Sequence, residues 1–355
     1  MDRKLKIGLI GCGQIADAHL LELGFLKDVR VVGVCDLVEF LAQDTAERFH
    51  AEKAYTDYRK MIEEMKPDVV HITTPAQTHF SIGTDVLKAG CHAYIEKPFG
   101  IDYQEALGII EQAKESDRIV CAGFSQWFDK VTSRLRHSLE HNDLGEVVHA
   151  ESYYGNAIDG SFSKLFLQNK THWVHKLPGK MIQNIISHPL YHLIPLLGGP
   201  VDEVSCVALD RSRNGVFNDE LRIIMRSERT TGTLTITSNV KPIIQFVRVY
   251  GTRAVAEIDL ANHLFSMVKS TNLPGPAARL NRAFGAARHL MGQGLGNLTD
   301  MIKGRDRYFA GLGGLFHNFY ENIRNGSGKP PIPYEVVLEV SRVTNLVNEQ
   351  IRERT

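Results

Sequence analysis

Two short stretches of this chain carry residue types that could do chemistry together, and their order matters. The first, Gly11-Cys12-Gly13-Gln14-Ile15-Ala16, is a G-x-G-x-x-A loop set between an apolar run and a helical one. Gly11 permits a tight turn, Gly13 lets a pyrophosphate approach the backbone, and Ala16 lets the helix pack closely on the strand. The N–H groups at the helix start, including those of Gln14 and Ile15, would then face phosphates with the positive end of the helix dipole behind them. Asp36 closes the next strand about 20 residues on, where a carboxylate would hold both hydroxyls of an adenosine ribose. Its charge would repel a 2′-phosphate, and Leu37 and Val38 supply no cation to receive one, so NAD is favoured over NADP. The plainer reading is a structural turn with Asp36 capping a loop.

The second stretch, Glu96-Lys97-Pro98, puts a lysine at the end of a short apolar run, His92 to Ile95. Oxidising an alcohol needs a hydride acceptor on one side and a proton acceptor on the other. A lysine in a partly dry cleft beside a cationic nicotinamide would have its pKa lowered toward a useful range. Pro98 ends the strand and aims the lysine, and a cis Lys97–Pro98 bond is a specific hypothesis. A salt bridge from Lys97 to Glu96 is the plainer role.

These residues need a scaffold, and the first third of the chain supplies a rhythm for one. Apolar runs at Leu5 to Ile10, Val29 to Asp36, Asp68 to Ile72, His92 to Ile95 and Ile119 to Gly123 alternate with helical segments. That alternation implies an α/β fold, a doubly wound parallel sheet with helices on both faces. After about residue 124 the pattern changes. Val147 to Tyr154, Val204 to Leu209, Glu220 to Arg226, Gly232 to Ser238, Phe246 to Tyr250 and Ala254 to Asp259 read as successive strands, several alternating in polarity. Residues 125–332 are therefore expected to form an α+β domain with a large open, mainly antiparallel sheet. Within 262–312, Ala277 to Met291 has helical periodicity with a basic polar face, which suits a membrane-surface helix or, more plainly, an arm covering the sheet or reaching a neighbouring subunit. A last amphipathic helix follows Pro333.

With Thr74-Pro75, His79 and His188 added to the two stretches above, the chain resembles the glucose-fructose oxidoreductase / inositol dehydrogenase (Gfo/Idh/MocA) family. The resemblance implies a dinucleotide-binding Rossmann domain over 1–124 and a substrate domain over 125–332, whose sheet joins copies into a dimer or tetramer. A helix over 333–355 would pack back on the first domain. It also implies that Thr74, Pro75, His79, Glu96 and Lys97 approach the cofactor, and that Lys97 binds or deprotonates the reacting hydroxyl. The family's substrate helix usually carries an aspartate four residues before its histidine. Here that position is Asn184, which shares a helical face with His188 and can bind a hydroxyl but not act as a base. Lys97 and His188 are then left to carry the proton. Pro189 suggests a kink or restart of the helix at His188.

Trp173 and Lys176, with Tyr153, Tyr154 and Lys164, could wall a sugar and bind an anion, although Tyr153 and Tyr154 could equally alternate across a strand. His172, His175, His188 and His192 invite a metal, but no acid interleaves them as in H-E-x-x-H, and no metal is expected.

Composition narrows the field. Lys plus Arg and Asp plus Glu are both 41 in 355 residues, so no global field favours nucleic acid or an anionic membrane. Five scattered cysteines point to a reducing compartment, and no apolar stretch is long enough to span a bilayer, so a cytoplasmic protein is expected. The sequence thus points to an NAD-dependent oxidoreductase acting on a secondary alcohol of a sugar, glycoside, nucleotide sugar or cyclitol. A redox-neutral NAD-recycling cleavage enzyme and a non-catalytic NAD-bound regulator stay open.

Overall fold

The computed structural model describes residues 3–157, 167, 169–303 and 311–353. The chain divides into two compact units, Met1–Phe124 with Leu312–Arg342, and Ser125–Gly311 with Val343–Thr355. The first unit thus takes in a late segment, part of which the sequence had suggested for the second domain.

The first unit is built on six parallel strands: β1 (Leu5–Ile10), β2 (Val29–Cys35), β3 (Ala54–Tyr55), β4 (Val69–Ile72), β5 (His92–Ile95) and β6 (Val120–Ala122), in the order β3-β2-β1-β4-β5-β6. β4 is buried along its whole length, as expected of a parallel strand covered on both faces. Helices α1 (Gln14–Gly24), α2 (Glu39–Phe49), α3 (Tyr58–Met65), α4 (His79–Lys88) and α5 (Tyr103–Glu115) follow the first five strands in turn. The strand order reverses between β1 and β4, so the loops leaving their carboxyl ends border the crevice in which such sheets bind ligands.

In the second unit β7 (Val147–Gly155) is central to a seven-stranded sheet. The others are β8 (Glu203–Leu209), β9 (Glu220–Arg226), β10 (Thr231–Thr237), β11 (Ile244–Gly251), β12 (Ala254–Asp259) and β13 (Leu264–Lys269), in the order β13-β12-β11-β7-β10-β9-β8. β7 and β10 run parallel, and every other pair is antiparallel. Burial alternates along β9 and β12, so one sheet face is covered. On the other face Val148, Val207, Leu209 and Ile224 are exposed. Helix α6 (Lys130–Glu140) precedes β7, and α7 (Lys180–Leu193) lies on the sheet.

Two local expectations change. β13 occupies a stretch that showed no strand signal, pairing with β12 at the sheet edge, and the helix foreseen over Ala277 to Met291 runs as α8, Gly275–Ile302. Helix α7 passes through Pro189 without restarting, because its buried face holds it on the sheet although the proline supplies no N–H to the ladder. Two further α-helices among the described residues are α9 (Leu312–Arg324) and α10 (Tyr334–Glu353).

Candidate functional site

The loop after β1 is shaped for a dinucleotide. Gly11 has φ +98°, and a Cβ there would lie 2.8 Å from the backbone of Thr73 and Thr74, so only glycine fits. A Cβ on Gly13 would meet nothing within 4 Å; its side of the loop is open space. No side chain caps the start of α1, which leaves the N–H groups around Gln14 and Ile15 directed outward. Asp36 is fixed beside them: its Oδ2 accepts from Cys12 N–H at 2.8 Å and its Oδ1 from Val38 N–H at 2.9 Å. Each oxygen keeps a lone pair for a ribose hydroxyl. Leu37 and Val38 are exposed, and neither brings positive charge. These residues fit NAD.

The loops after β4 and β5 complete this edge of the sheet. The Thr73 hydroxyl donates to Gly11 C=O at 2.6 Å, and Thr78 donates to the Thr74 hydroxyl at 2.7 Å. Pro75 is exposed beside them. The Lys97–Pro98 peptide is cis. Lys97 is half-buried; burial pulls its ammonium pKa below the ordinary value, and the Glu96 charge pulls part of the way back.

His79 departs from the expected cofactor contact. It is buried, with Nδ1 2.8 Å from Pro98 C=O and Nε2 2.9 Å from Thr74 C=O, so neither ring nitrogen is left for a ligand. Burial lowers its pKa against the upward pull of the two carbonyls. Its role is positional, tying the loop after β4 to the loop that carries Lys97.

Glu96 also departs from expectation. Its carboxylate is buried, and its partners lie in the interior of the unit. Oε2 accepts from Lys97 N–H at 3.1 Å, and Oε1 is 3.0 Å from His19 Nε2. His19 Nδ1 is 2.8 Å from His71 Nδ1, and His71 Nε2 is 2.5 Å from the Tyr320 hydroxyl on α9. Burial drives His71 well below its usual pKa and Tyr320 well above. Burial pushes Glu96 up, but the His19 hydrogen bond and the Lys97 charge outweigh it and keep the carboxyl below the usual range. These contacts link Tyr320, His71, His19 and Glu96 in one buried hydrogen-bonded chain that ends at the carboxylate next to Lys97. Rings hold the chain in place: Tyr94 stacks on His71 at 4.9 Å, and Phe316 meets both histidines edge-on. Sequence inspection missed His19, His71 and Tyr320. The one signal was a histidine inside the apolar run of β4.

The second unit gathers a different set. The His188 ring stacks on Tyr154, with centroids 5.7 Å apart and 7° between planes. His188 Nδ1 lies 3.2 Å from the Tyr191 hydroxyl, which donates to Gln126 Oε1 at 3.2 Å. Asn184 is buried one turn earlier, with Nδ2 3.9 Å from Met181 sulfur. Tyr153 stacks on Phe246, so the adjacent tyrosines alternate across β7. Trp173 packs on the cluster of Val174, Met181 and Phe217, and Lys176 is exposed. Lys164 lies outside the described residues. His192 is buried, its Nε2 has no hydrogen-bond partner among the described residues, and burial lowers its pKa to about 3. Among the described residues no three His, Cys, Asp or Glu side chains converge as metal ligands.

Known proteins give this geometry a family. Residues 5–124 match the model of the GFO/IDH/MocA oxidoreductase family with its NAD-binding Rossmann fold, and residues 132–257 match the GFO/IDH/MocA C-terminal domain. The chain belongs to the GFO/IDH/MocA family. Myo-inositol 2-dehydrogenase of Thermotoga maritima is 29% identical over 142 residues, covering 40% of this chain and 42% of that protein. D-glucoside 3-dehydrogenase of Escherichia coli is 31% identical over 144 residues, covering 40% and 41%. The chain thus spans less than half the length of the curated relatives it matches. The WlbA dehydrogenase of Bordetella pertussis, solved with NADH and UDP-GlcNAcA, superposes with a TM-score of 0.79 at 17% identity, over 100% of this chain and 97% of that one. At that identity the likeness shows the fold. As a GFO/IDH/MocA protein the chain carries its NAD-binding domain first, and its described helices include none long and apolar enough to cross a membrane.

Proposed function

We propose that the chain is an NAD-dependent oxidoreductase that moves a hydride between nicotinamide and a secondary alcohol of a sugar, glycoside, nucleotide sugar or cyclitol. Bound NAD supplies the hydride acceptor or donor. Lys97 binds the reacting hydroxyl and takes its proton, and His188 Nε2 is the second proton acceptor. Asn184 binds a neighbouring hydroxyl, with Tyr154, Trp173 and Lys176 as further substrate contacts. Thr74, Pro75 and the Gly11 to Ala16 loop hold the cofactor. The observation that best supports the reading is Lys97 itself: a lysine with a lowered pKa, at the carboxyl edge of the sheet that also carries the glycine loop and Asp36. The names of the relatives agree with an alcohol substrate on a ring.

The exposed apolar face of the seven-stranded sheet supports an oligomer of copies paired through it. The activity is tested by incubating the purified protein with NAD and a panel of sugars and cyclitols while following NADH absorbance. Lys97→Ala and His188→Ala should each lower the rate by ~10²–10⁴-fold, the range of general acid–base catalysis. If both variants keep the full rate, the assignment is wrong. Product analysis by mass spectrometry separates net oxidation from a redox-neutral cleavage.

A further inference from the structure

Helix α8 is amphipathic the wrong way round for a surface helix. Its polar side holds it to its own unit. Gln293 pairs with both backbone groups of Phe265 at 2.7 Å, Asn297 donates to Asn262 C=O at 2.9 Å, and Lys130 reaches Asn297 and Asp300 at 2.8 Å. These three polar residues each stand two positions on from Met291, Leu295 and Leu298, a step of about 200° round a helix. The apolar seam therefore faces away from the body of the unit. Leu280, Phe284, Met291, Leu295, Leu298 and Ile302 are all between 46% and 73% exposed. A protein surface rarely leaves so long an apolar line bare without a partner.

The spacing of the seam says what the partner is. Leu280, Phe284 and Ala287 stand 11, 7 and 4 residues before Met291, and Leu295, Leu298 and Ile302 stand 4, 7 and 11 residues after it. The seam is the same read from either end. A two-fold axis through Met291 would set Leu280 against Ile302, Phe284 against Leu298, and the small Ala287 against Leu295. That is the self-complementarity an isologous contact between identical chains requires. We propose that α8 pairs antiparallel with α8 of a second copy of this chain, its seam packing in the steps of three and four residues that helix pairs use.

Charge favours a second copy over an anionic membrane. A lipid surface calls for cations bordering the apolar face. Arg279 and Arg282 fall on the side of α8 away from the seam, and only Arg288 borders it. A helix of 28 residues is about 42 Å long and about 10 Å across, so the strip offers roughly half of the ~800 Å² each partner gives to a standard interface. The pairing is therefore reversible and concentration-dependent. It uses a surface separate from the sheet face and does not depend on the chemistry proposed above.

Cysteine cross-linking of the full chain tests the register, because all five native cysteines are buried. Under a mild oxidant, Met291→Cys alone should give a covalent dimer on a non-reducing gel. Leu280→Cys alone should not, since its two copies would lie about 33 Å apart along the pair, whereas mixing Leu280→Cys with Ile302→Cys should restore the dimer. In sedimentation, Phe284→Glu should halve the assembled mass while far-ultraviolet circular dichroism and NAD binding stay as in the parent. Equal cross-linking of Leu280→Cys and Met291→Cys would overturn the proposal. So would an unchanged mass for Phe284→Glu at every concentration, or co-sedimentation of the wild-type protein with phosphatidylglycerol vesicles while the Met291→Cys variant forms no dimer.

Discussion

The chain from Tyr320 through His71 and His19 to Glu96 makes a prediction whose sign reverses with genetic background. Tyr320→Phe removes the hydroxyl that His71 Nε2 faces and leaves that nitrogen buried without its hydrogen-bond partner. An orphaned buried polar group costs about 1–3 kcal/mol. His71→Phe keeps a ring of similar size between Tyr94 and Phe316 but orphans two groups at once, the Tyr320 hydroxyl and His19 Nδ1. Its cost should be about twice as large. In the double variant the Tyr320 hydroxyl is gone, and only His19 Nδ1 lacks its partner. Tyr320→Phe should therefore destabilise the parent by about 1–3 kcal/mol and stabilise His71→Phe by a similar amount. Calorimetry on the full chain reads this out, and the transition that moves upward when NAD is added marks the first unit. At ~2–4 °C per kcal/mol for a domain of this size, the single variant's shift is measurable. If Tyr320→Phe lowers Tm equally in both backgrounds, the two side chains are not coupled, and the buried hydrogen bond between them contributes nothing to stability.

Three further outcomes follow from local geometry. Gly11→Ala should lower stability because its Cβ would meet the Thr73 backbone at 2.8 Å, whereas Gly13→Val should fold as the parent and lose NAD binding in a fluorescence titration. Asp36→Ala should weaken NAD by roughly 10–150-fold in Kd, equivalent to about 1.5–3 kcal/mol for charged hydrogen bonds, and should reduce discrimination against NADP. His192 stays neutral in the folded state down to about pH 3, while the unfolded chain takes up a proton below about 6.5. The unfolded state thus binds the extra proton in that window, and stability falls with pH by about 1.4 kcal/mol per unit from this residue. His192→Phe should flatten the acid side of a Tm-versus-pH curve, and an unchanged slope would contradict the burial.

What the sequence revealed divides along sequence separation. Gly11, Gly13 and Asp36 take their conformation from their own loops and strands, so a short motif carried the shape of that turn. The alternation of strands in the first third likewise fixed a parallel sheet, because each apolar run is buried on both faces. β13 escaped notice because an edge strand is held by one neighbour and needs little apolar signal of its own. Glu96 and His79 were legible as residues near the loops after β4 and β5, but their side-chain partners were not. Their carboxylate and ring face groups brought in from elsewhere: His19 is 77 residues from Glu96, and Tyr320 is 249 residues from His71. The packing of Trp173 against Val174 and Phe217 was likewise not legible, since a large aromatic read along the chain carries no sign of what it touches.

Tyr320 also sets a timetable. The first unit's strands leave the ribosome early, yet the helix that supplies Leu315, Phe316, Phe319 and the Tyr320 hydroxyl to its interior is made almost 200 residues after Phe124. At ~5–20 residues per second, the nascent sheet waits on the order of 10–40 s with His71 lacking its Tyr320 partner and an apolar flank bare. A fragment cut after Phe124 would lack the helix that covers that flank.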